Sequence, residues 1–377
     1  MITQLNIKNF KLHNNTELTI NGLTILTGMN GMGKSTIIQT LILLRQSYIM
    51  NDLDAGMNLK GDLCDAGMSG ELACQSSNED YLNIELKFEK QNNLIFKFQY
   101  PNNIMDTLLP GEKTNVTDKN TLIKYSLFND AFQYLSAFRF GPQKTYNRDT
   151  SLVVNKKQIS KIMGQCEYAI HFLEHYKNMD IPIKELAIRE EKESIIDYRL
   201  LTQVEQWLRM ISPNIKIKIE QIGEDFKLKY KFNRKENTIT EDISALNTGF
   251  GITYVLPILV SILSAKKDSI ILIENPEAHI HPKGQAILMK LIAKAVSLGI
   301  QIIIETHSDH IINGSLIALK EKIITPKDIA IYYFNRDENK HIAIPHSLQI
   351  SQNGHIKQPP TGFFDQIDID LKTLIGF

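Results

Sequence analysis

A glycine-rich run early in the chain has the residue types and the spacing of a phosphate-binding loop. Residues 28–36 read Gly-Met-Asn-Gly-Met-Gly-Lys-Ser-Thr and match the pattern G-x-x-x-x-G-K-[ST]. Because glycine lacks a Cβ, such a loop can wrap a phosphate, and its successive N–H groups hold the anion. Lys34 can then reach the β- and γ-phosphates, and the Ser35 hydroxyl can ligate Mg²⁺. We therefore predict a nucleotide-phosphate site made of Asn30, Gly31, Met32, Gly33, Lys34, Ser35 and Thr36.

An acidic residue at the end of an apolar run is the second chemical feature. Residues 269–273 read Ser-Ile-Ile-Leu-Ile, and Glu274 follows them directly. A buried strand of this kind brings the carboxylate to the carboxyl edge of a parallel sheet, beside the phosphate loop. We predict Ser35 and Glu274 as the Mg²⁺ ligands; the alternative is an acid that only caps a strand. The long segment between the two features predicts an insertion between the two halves of the site.

The elements that must position these residues alternate between strand and helix. The loop follows a short apolar strand at 23–27 and opens a helical run at 37–45, which is the context that the pattern needs. Later in the chain, apolar strands at 269–273 and 301–304 are separated by a helical segment. Near-continuous apolar strands between helices indicate an α/β fold with a parallel sheet covered on both faces.

The middle of the chain has a different pattern. Residues 160–177 and 183–210 predict helices, and residues 215–232 alternate apolar and charged side chains in the manner of a β-hairpin. Because side chains alternate along strands, we expect the hairpin lysines on one face. This face either contacts nucleic-acid phosphates or is a solvated strand surface. Its members are Lys216, Lys218, Lys227, Lys229 and Lys231.

The bulk composition limits the partners. The 42 Lys and Arg residues balance 42 Asp and Glu residues, which excludes binding to nucleic acid through net charge alone. The apolar runs fall short of the roughly 20 residues that a membrane helix needs. The three cysteines, Cys64, Cys74 and Cys166, contain no CxxC pair, which excludes a disulfide scaffold or a cysteine-rich zinc site. We expect a cytoplasmic protein without a membrane partner.

With these motifs in place, the chain resembles an ATP-binding-cassette (ABC)-type ATPase of the SMC, RecF and OLD group. Its opening, residues 5–11 and 23–36, is similar to the start of those proteins, and residues 305–310, Glu-Thr-His-Ser-Asp-His, are similar to their switch-histidine motif. Residues 247–251, Asn-Thr-Gly-Phe-Gly, resemble a degenerate signature motif. The tail Pro-Thr-Gly-Phe-Phe-Asp-Gln at 360–366 is similar to the end of a bacterial subfamily whose genes often lie beside phage-defence or nuclease genes.

The resemblance implies a P-loop ABC-type ATPase head, in which a mixed sheet is flanked by helices, with an inserted helical and β-hairpin lobe. Residues 1–140 and 240–345 would form the split head, residues 141–239 the inserted lobe, and residues 346–377 a C-terminal tail packed on the head. The implied cofactors are ATP and Mg²⁺.

The resemblance also assigns roles to individual residues. His307 would sense the γ-phosphate and position the attacking water. In a homodimer or higher oligomer, the signature would contact the nucleotide of the partner subunit through Asn247, Thr248, Gly249 and Gly251. Asn275 departs from the family pattern of a second acid, and an amide cannot accept a proton from water at neutral pH. Glu277 is the alternative catalytic acid; otherwise hydrolysis is slow.

Two further groups of residues have competing interpretations. The histidines at 279, 281, 307 and 310 invite a metal site, but no Cys or Asp set completes it, and nucleotide-switch and packing roles compete with it. Arg139 lies in a segment that the resemblance places near the nucleotide. It is interpreted either as a phosphate or dimer contact or as a structural salt bridge.

The function implied by the resemblance is an ATPase that dimerises around nucleotide and drives or gates a separate effector, a nuclease or toxin, in anti-phage defence or DNA maintenance. Two alternatives stay open. One is an ATP-sensing scaffold with little turnover that restrains an effector. The other is a DNA-repair clamp that acts on DNA itself. DNA or RNA is a candidate partner through the hairpin lysines.

Overall fold

The computed structural model describes residues 1–112, 118–189, 195–234, 238–360, 362–364 and 366–375, with only the backbone described within 366–369. The helices are α1 (Lys34–Met50), α2 (Lys119–Leu122), α3 (Ala169–Tyr176), α4 (Leu200–Ile211), α5 (Phe250–Ser264), α6 (Pro282–Ser297), α7 (Asp309–Lys320) and α8 (Gln366–Ile375). The strands are β1 (Ile2–Phe10), β2 (His13–Thr19), β3 (Leu23–Gly28), β4 (Gly56–Asn58), β5 (Tyr81–Phe88), β6 (Leu94–Gln99), β7 (Leu108–Pro110), β8 (Phe132–Leu135), β9 (Ile215–Ile222), β10 (Asp225–Phe232), β11 (Ile243–Ser244), β12 (Ile270–Glu274), β13 (Gln301–Glu305), β14 (Ile329–Asp337), β15 (Ile342–Ser347), β16 (Gln349–Ile350) and β17 (Ile356–Lys357).

A six-stranded sheet forms the centre of the fold. Its strand order is β15-β14-β3-β13-β12-β8. The strands from β14 to β8 run parallel, and β15 pairs antiparallel with β14 at one edge. The predicted α/β class with a mixed sheet flanked by helices is therefore confirmed. The order also places the strand before the phosphate loop, β3, next to β13, which in turn lies next to β12.

Alternate residues of the central strands face two different apolar clusters. On β12, Ile271 and Ile273 belong to one cluster, and Ile270 and Leu272 belong to the other. The first cluster includes residues of α5 and α6 together with α3, α4, β9 and β10. The second cluster includes α1 and the antiparallel sheet β2-β1-β5-β6. Because both faces of the sheet are covered, these strands are apolar at nearly every position.

The helices between the two halves of the sheet are shorter than the sequence predicts. Within the predicted helices 160–177 and 183–210, only α3 and α4 are longer than one turn among the described residues. Residues 190–194 lie outside the described part of the chain. The predicted hairpin at 215–232 is confirmed as β9 and β10, which pair antiparallel.

A buried acid explains why the first of these helices starts late. The Glu167 carboxylate accepts hydrogen bonds from the Ser160 hydroxyl and from the backbone N–H groups of Lys161 and Ile162. These bonds satisfy the backbone of a loop, so residues that have helical composition adopt a turn instead.

The C-terminal segment returns to the central sheet. The ring of Phe363 contacts Tyr333 of β14 edge-on, with the centroids 5.6 Å apart. Thr361 and Asp365 of the tail motif lie outside the described residues. The division into a split head, an inserted lobe and a tail stays a prediction. Within the described ranges, no helix has the length and apolar character needed to cross a membrane.

Candidate functional site

The phosphate loop joins β3 directly to α1. Its backbone has positive φ angles at Gly28 (132°), Gly31 (75°) and Gly33 (94°), a region that favours glycine. At Gly28 a Cβ atom would lie only 2.5 Å from the Phe334 carbonyl oxygen of β14. Helix α1 has no side-chain cap and no acid in its first turn. Its free N–H groups and the positive end of its dipole therefore face the loop and suit an anion.

A buried histidine fixes the junction between loop and helix. The Nε2 atom of His13 lies 2.9 Å from the Gly33 carbonyl oxygen, and its Nδ1 atom lies 2.9 Å from the Thr16 hydroxyl. A carbonyl can only accept, so Nε2 carries the proton and donates it to Gly33. Burial lowers the pKa of His13 to about 4, which keeps the ring neutral. Sequence reasoning missed this residue because a single histidine in a strand has no pattern.

The loop lysine is held inside the site by the loop itself. The Lys34 Nζ atom donates a hydrogen bond of 2.7 Å to the Met29 carbonyl oxygen and lies 4.0 Å from Oε1 of Glu305. Burial lowers the pKa of Lys34, and the Glu305 carboxylate partly opposes this effect. The ammonium group thus lies within the loop, where a phosphate oxygen could replace the Met29 carbonyl as its acceptor.

Two carboxylates stand side by side at the carboxyl edge of the sheet. Glu274 and Glu305 are register partners at the ends of the parallel strands β12 and β13. Glu274 accepts hydrogen bonds from the Tyr134 hydroxyl and the Ala137 N–H, each of 3.0 Å. Burial raises the pKa of Glu274. The structure thus brings Glu274 to the edge where the sequence predicts it.

Glu305 was not predicted as a site residue, although it stands inside the switch-histidine motif. Its Oε1 atom accepts a hydrogen bond of 2.8 Å from the Ser35 hydroxyl. Its Oε2 atom is buried and has no hydrogen-bond partner among the described residues. Burial, with the neighbouring Glu274 charge, raises the pKa of Glu305 to about 7. An acid placed directly after a buried strand was the available signal.

The loop that follows β12 carries the other predicted catalytic residues. Asn275 adopts a positive φ of 45°, and its N–H donates to the Glu305 carbonyl oxygen at 2.8 Å. Glu277 turns toward the next strand, where its Oε1 accepts the His307 N–H at 2.9 Å. Burial lowers the pKa of His307, and the nearby Lys34 charge lowers it further. The catalytic roles of Asn275, Glu277 and His307 stay predictions.

Arg139 contacts the backbone of the loop that follows β12. Its guanidinium donates to the carbonyl oxygens of Ser136, Glu274 and Asn275 at 2.6–2.8 Å and lies 4.9 Å from the centre of the Tyr254 ring. The side chain is only 3% exposed. Its role is structural, but it acts through carbonyl groups rather than through the salt bridge that was considered.

The histidines that suggested a metal site have other contacts. His279 packs between the rings of Phe250 and Tyr254, with centroids 5.4 and 5.0 Å away. His281 caps α6, where its Nδ1 accepts the Lys283 N–H at 3.3 Å. Among the residues that the structure describes, no group of three or more His, Cys, Asp or Glu side chains is arranged for a metal ion. The packing interpretation applies to His279.

The predicted signature lies at the start of α5. A Cβ on Gly251 would come within 2.2 Å of the His279 carbonyl oxygen, so this glycine permits close contact with the loop after β12. Gly249 is different, because a Cβ there would meet nothing within 4 Å. Asn247 ends a short turn, and the Thr248 hydroxyl donates to the Ser244 carbonyl oxygen at 3.1 Å. Their contact with a partner's nucleotide stays a prediction.

Two cavities are lined by residues of the phosphate loop, and a third lies beside them. One of about 250 Å³ is lined by the loop and Glu305. A larger one of about 460 Å³ is lined by Ser35, Glu274, Asn275, Glu305 and His307, among others. A third, of about 330 Å³, leads away from the phosphate site.

Lys11 borders all three cavities and was also missed as a site residue. Its Nζ atom donates a hydrogen bond of 2.6 Å to Oε1 of Gln39 on α1. Burial lowers the pKa of Lys11. Lys11 could have been found because it lies in the opening segment that resembles the family.

The hairpin lysines share one face, but acids occupy that face too. Lys218 and Lys229 each lie 2.6 Å from a Glu220 oxygen, and Asp242 lies 2.7 Å from Lys218 and 3.0 Å from Lys231. Hydrogen bonds from these lysines hold the pKa of Asp242 well below its usual range. Glu220 and Asp242 therefore offset part of the positive charge. Nucleic-acid contact by this face stays a prediction.

Comparison with protein families gives two matches. Residues 1–312 match the AAA ATPase domain family. Residues 324–374 match a family described as a protein of unknown function, DUF3696. No curated protein sequence matches the chain.

Solved structures of SMC heads have a similar fold. The SMC head bound to the C-winged helix domain of ScpA matches with a TM-score of 0.54 and 13% identity, over 92% of this chain and 98% of that one. The SMC head with an extended coiled coil, bound to the C-terminal domain of ScpA derived from Pyrococcus furiosus, matches with a TM-score of 0.52 and 14% identity, over 100% of this chain and 99% of that one. At such identities the likeness shows the fold alone.

The family match covers most of the chain, and it coincides with the phosphate loop and the carboxylate edge. The family match confirms the predicted ATPase, and the likeness to SMC heads confirms the predicted fold. The chain belongs to the AAA ATPase domain family.

Proposed function

We propose that this ATPase binds Mg²⁺·ATP in the joined cavities, dimerises around the nucleotide, and uses the resulting motion to drive or gate a separate effector. The observation that carries the first step is that the phosphate loop, Glu274, Glu305 and His307 line two cavities that share Ser35 and Glu305. A phosphate nest, buried carboxylates and an exposed histidine together match the parts that phosphoryl transfer to water requires.

Binding of the substrate uses groups that already point into the cavity. The N–H groups at the start of α1 and Lys34 receive the phosphates, and the lysine exchanges its bond to Met29 for a phosphate oxygen. The cavity of about 330 Å³, which meets the phosphate cavity at Lys11 and Leu12, is the proposed place for the sugar and base. Its volume lies in the range of about 300–1,000 Å³ that is usual for ligand sites.

The proposed Mg²⁺ ligands are Ser35 and Glu274, as the sequence predicts. Hydroxyl and carboxylate oxygens are suitable donors for this ion. When bound, Mg²⁺ neutralises charge that develops on the phosphates. Tyr134 and the Ala137 N–H hold the Glu274 carboxylate in one orientation, which is the usual task of groups behind a metal ligand.

The attacking water is proposed to lie between Asn275 and His307, because both line the larger cavity. Asn275 can orient the water but cannot take its proton. Glu277 supports His307 through its backbone N–H. This arrangement favours slow hydrolysis, and it is the observation that supports the second candidate function, an ATP-sensing scaffold that restrains an effector.

Exposed apolar side chains around the site support docking of a second copy. Met29 of the phosphate loop, Phe138 beside the larger cavity and Phe250 of the signature are 62%, 71% and 55% exposed. Open space at Gly249 leaves room for a nucleotide carried by the other subunit. A dimer with both nucleotides at its seam would cover these groups.

The dimer proposal is tested by light scattering with a non-hydrolysable ATP analogue. The wild-type chain is expected to double its mass when the analogue is added. Gly249→Arg is expected to stay monomeric, because the space around Gly249 lets the free subunit fold normally while the new side chain blocks docking. A wild-type chain that stays monomeric with saturating analogue would contradict the proposal.

Nucleotide binding itself is tested with Lys34→Met. The variant removes the ammonium but keeps most of the buried stem, so it is expected to fold and to lose binding of a fluorescent ATP analogue. The same variant should abolish phosphate release. Equal binding by the variant and the wild type would remove the phosphate-loop assignment.

The effector is proposed to be a separate protein, such as a nuclease or toxin, in anti-phage defence or DNA maintenance. The resemblance of the tail motif supports this, and both matched SMC heads are bound to a domain of another protein. We keep the cytoplasm as the proposed location, since all three cysteines are buried free thiols. Identification of what co-purifies with the full chain tests the partner.

A further inference from the structure

The acid nearest to the Ser35 hydroxyl is Glu305, at the end of β13. The two side chains are 270 positions apart in sequence and 2.8 Å apart in space. Glu305 is 5% exposed and lines both cavities that meet at the phosphate loop. Its second oxygen is buried without a hydrogen-bond partner in the described part of the chain. A buried carboxylate oxygen without a donor is costly unless something else fills that position.

Glu274 faces a different set of donors. Both of its oxygens accept hydrogen bonds from the β8 side, one from Tyr134 and one from the Ala137 N–H. Neighbouring parallel strands are about 4.8 Å apart, so the two register-matched acids border the same small volume. Glu274 lies on the β8 side of that volume, and Glu305 lies on the side of Ser35.

We infer that Glu305 is a ligand of the Mg²⁺ in this site, together with Ser35, and that Glu274 is the second carboxylate on the opposite side of the ion. The inference rests on the proposed binding of Mg²⁺·ATP. One or two carboxylates plus phosphate oxygens are the usual protein environment of this ion. The free oxygen of Glu305 and its contact with Ser35 supply the acid-hydroxyl pair that the ion needs.

A purely structural role, as the counter-ion of Lys34, fits the geometry less well. The Lys34 ammonium is 4.0 Å from Glu305, whereas it donates to the Met29 carbonyl at 2.7 Å. The hydroxyl of Ser35 takes the closer position instead. The two roles also predict opposite effects on metal-free nucleotide binding, which makes them separable.

The experiment measures Mn²⁺, as a paramagnetic substitute for Mg²⁺, in the full chain with a non-hydrolysable ATP analogue. Free Mn²⁺ is followed by electron paramagnetic resonance. Glu305→Gln keeps the size of the side chain and an oxygen that can accept from Ser35, but it removes the charge. We expect the Kd for Mn²⁺ to rise about tenfold or more. The exposed Glu321 at the C-terminal end of α7 provides the control, because it lines none of the three cavities. Glu321→Gln removes one charge there and should leave this Kd unchanged.

Nucleotide affinity is measured in parallel with EDTA present. Removing a carboxylate beside the phosphates reduces repulsion, so Glu305→Gln should bind the metal-free analogue as tightly as the wild type or more tightly. A residue that only supported Lys34 would instead weaken this binding. Ser35→Ala combined with Glu305→Gln should cost less than the sum of the single changes, because both ligate one ion.

Each outcome separates the inference from the proposed function. A wild-type chain that binds nucleotide and Mn²⁺, with Glu305→Gln within about twofold of it, overturns the inference and leaves the function standing. A wild-type chain that binds no nucleotide overturns both. If Glu305→Gln does not fold, Glu305→Asp keeps the charge but withdraws it by one methylene, and a Kd for Mn²⁺ equal to that of the wild type then overturns the inference.

Discussion

The imidazole of His13 and the carbonyl of Gly33 form a hydrogen bond of 2.9 Å that orients the first peptide unit of α1. In a planar trans peptide the C=O and N–H groups point in opposite directions. Holding the Gly33 carbonyl toward β2 therefore points the Lys34 N–H toward the phosphate position. The phosphate nest is shaped by a side chain outside the loop.

His13→Phe should weaken ATP binding. The phenyl ring keeps the packing against Phe334 but removes the donor to Gly33 and the acceptor for Thr16. We expect the free energy of unfolding to fall by about 1–3 kcal/mol. The Kd for ATP should rise about fivefold, because the Lys34 N–H loses its fixed direction. Denaturant unfolding and titration with a fluorescent ATP analogue measure the two effects.

His13→Gln is the matched control for that change, since its amide can place a donor near the position of Nε2. It should restore ATP affinity to a larger extent than it restores stability. If both variants bind ATP as the wild type does, the orientation of this peptide does not depend on His13.

Stability should depend on pH through the same histidine. The folded pKa of about 4 lies below the ordinary value of 6.5, so between these values the unfolded chain binds a proton that the folded chain does not. Stability from this group is therefore complete above pH 6.5 and is lost as the pH falls toward 4. The loss amounts to about 3 kcal/mol. Denaturant unfolding of the wild type and His13→Gln from pH 7.5 to 4.5 should show a smaller loss in the variant; parallel curves would contradict this.

Gly251→Ala should disturb the loop after β12, because the added Cβ would meet the His279 carbonyl oxygen at 2.2 Å. Overpacking of this kind costs about 1–3 kcal/mol. We expect lower stability together with slower ATP turnover, measured by unfolding and by phosphate release.

Gly249→Ala offers a comparison two positions away, at a φ of −52° and with open space around it. Its stability should stay within about 0.5 kcal/mol of the wild type. Equal losses in the two variants would mean that close packing at Gly251 is not the cause.

Asn275→Glu should speed hydrolysis. The new carboxylate would enter the cavity that also contains His307, where it can accept the proton that the amide cannot. Turnover should rise about tenfold or more, even though a glutamate at a φ of 45° is somewhat strained. Single-turnover phosphate release measures the chemical step. An unchanged rate would assign the proton to Glu277 or to another base.

Asp242→Asn tests the lysine face. Asp242 forms ion pairs with Lys218, Lys229 and Lys231, so its neutralisation frees positive charge. If the face binds nucleic acid, the variant should bind DNA more tightly and with a steeper dependence on salt concentration. Fluorescence anisotropy at several salt concentrations measures this. Lys216→Glu is the opposing change and should weaken binding; no response to either variant would remove nucleic acid as a partner of this face.

The local sequence pattern was sufficient to predict the phosphate loop and the strands beside it. The spacing of Gly28, Gly33 and Lys34 identifies a loop whose geometry is set by neighbouring residues. The apolar strand before Glu274 indicates a buried parallel strand for the same reason. The predicted helix at 160–177 was too long, because the Glu167 side chain folds back and accepts hydrogen bonds from the loop before α3, a contact that no local pattern predicts.

The sequence by itself determined the family, the α/β class and the position of the phosphate loop, since each depends on residues that are close together in the chain. Only the tertiary structure decided which acid meets Ser35, which histidine holds Gly33, and how far Asp242 offsets the lysine face. Ser35 and Glu305 are 270 positions apart. Their contact exists because β3 and β13 are neighbours in the sheet, and strand order is set by packing of the whole chain rather than by any local pattern.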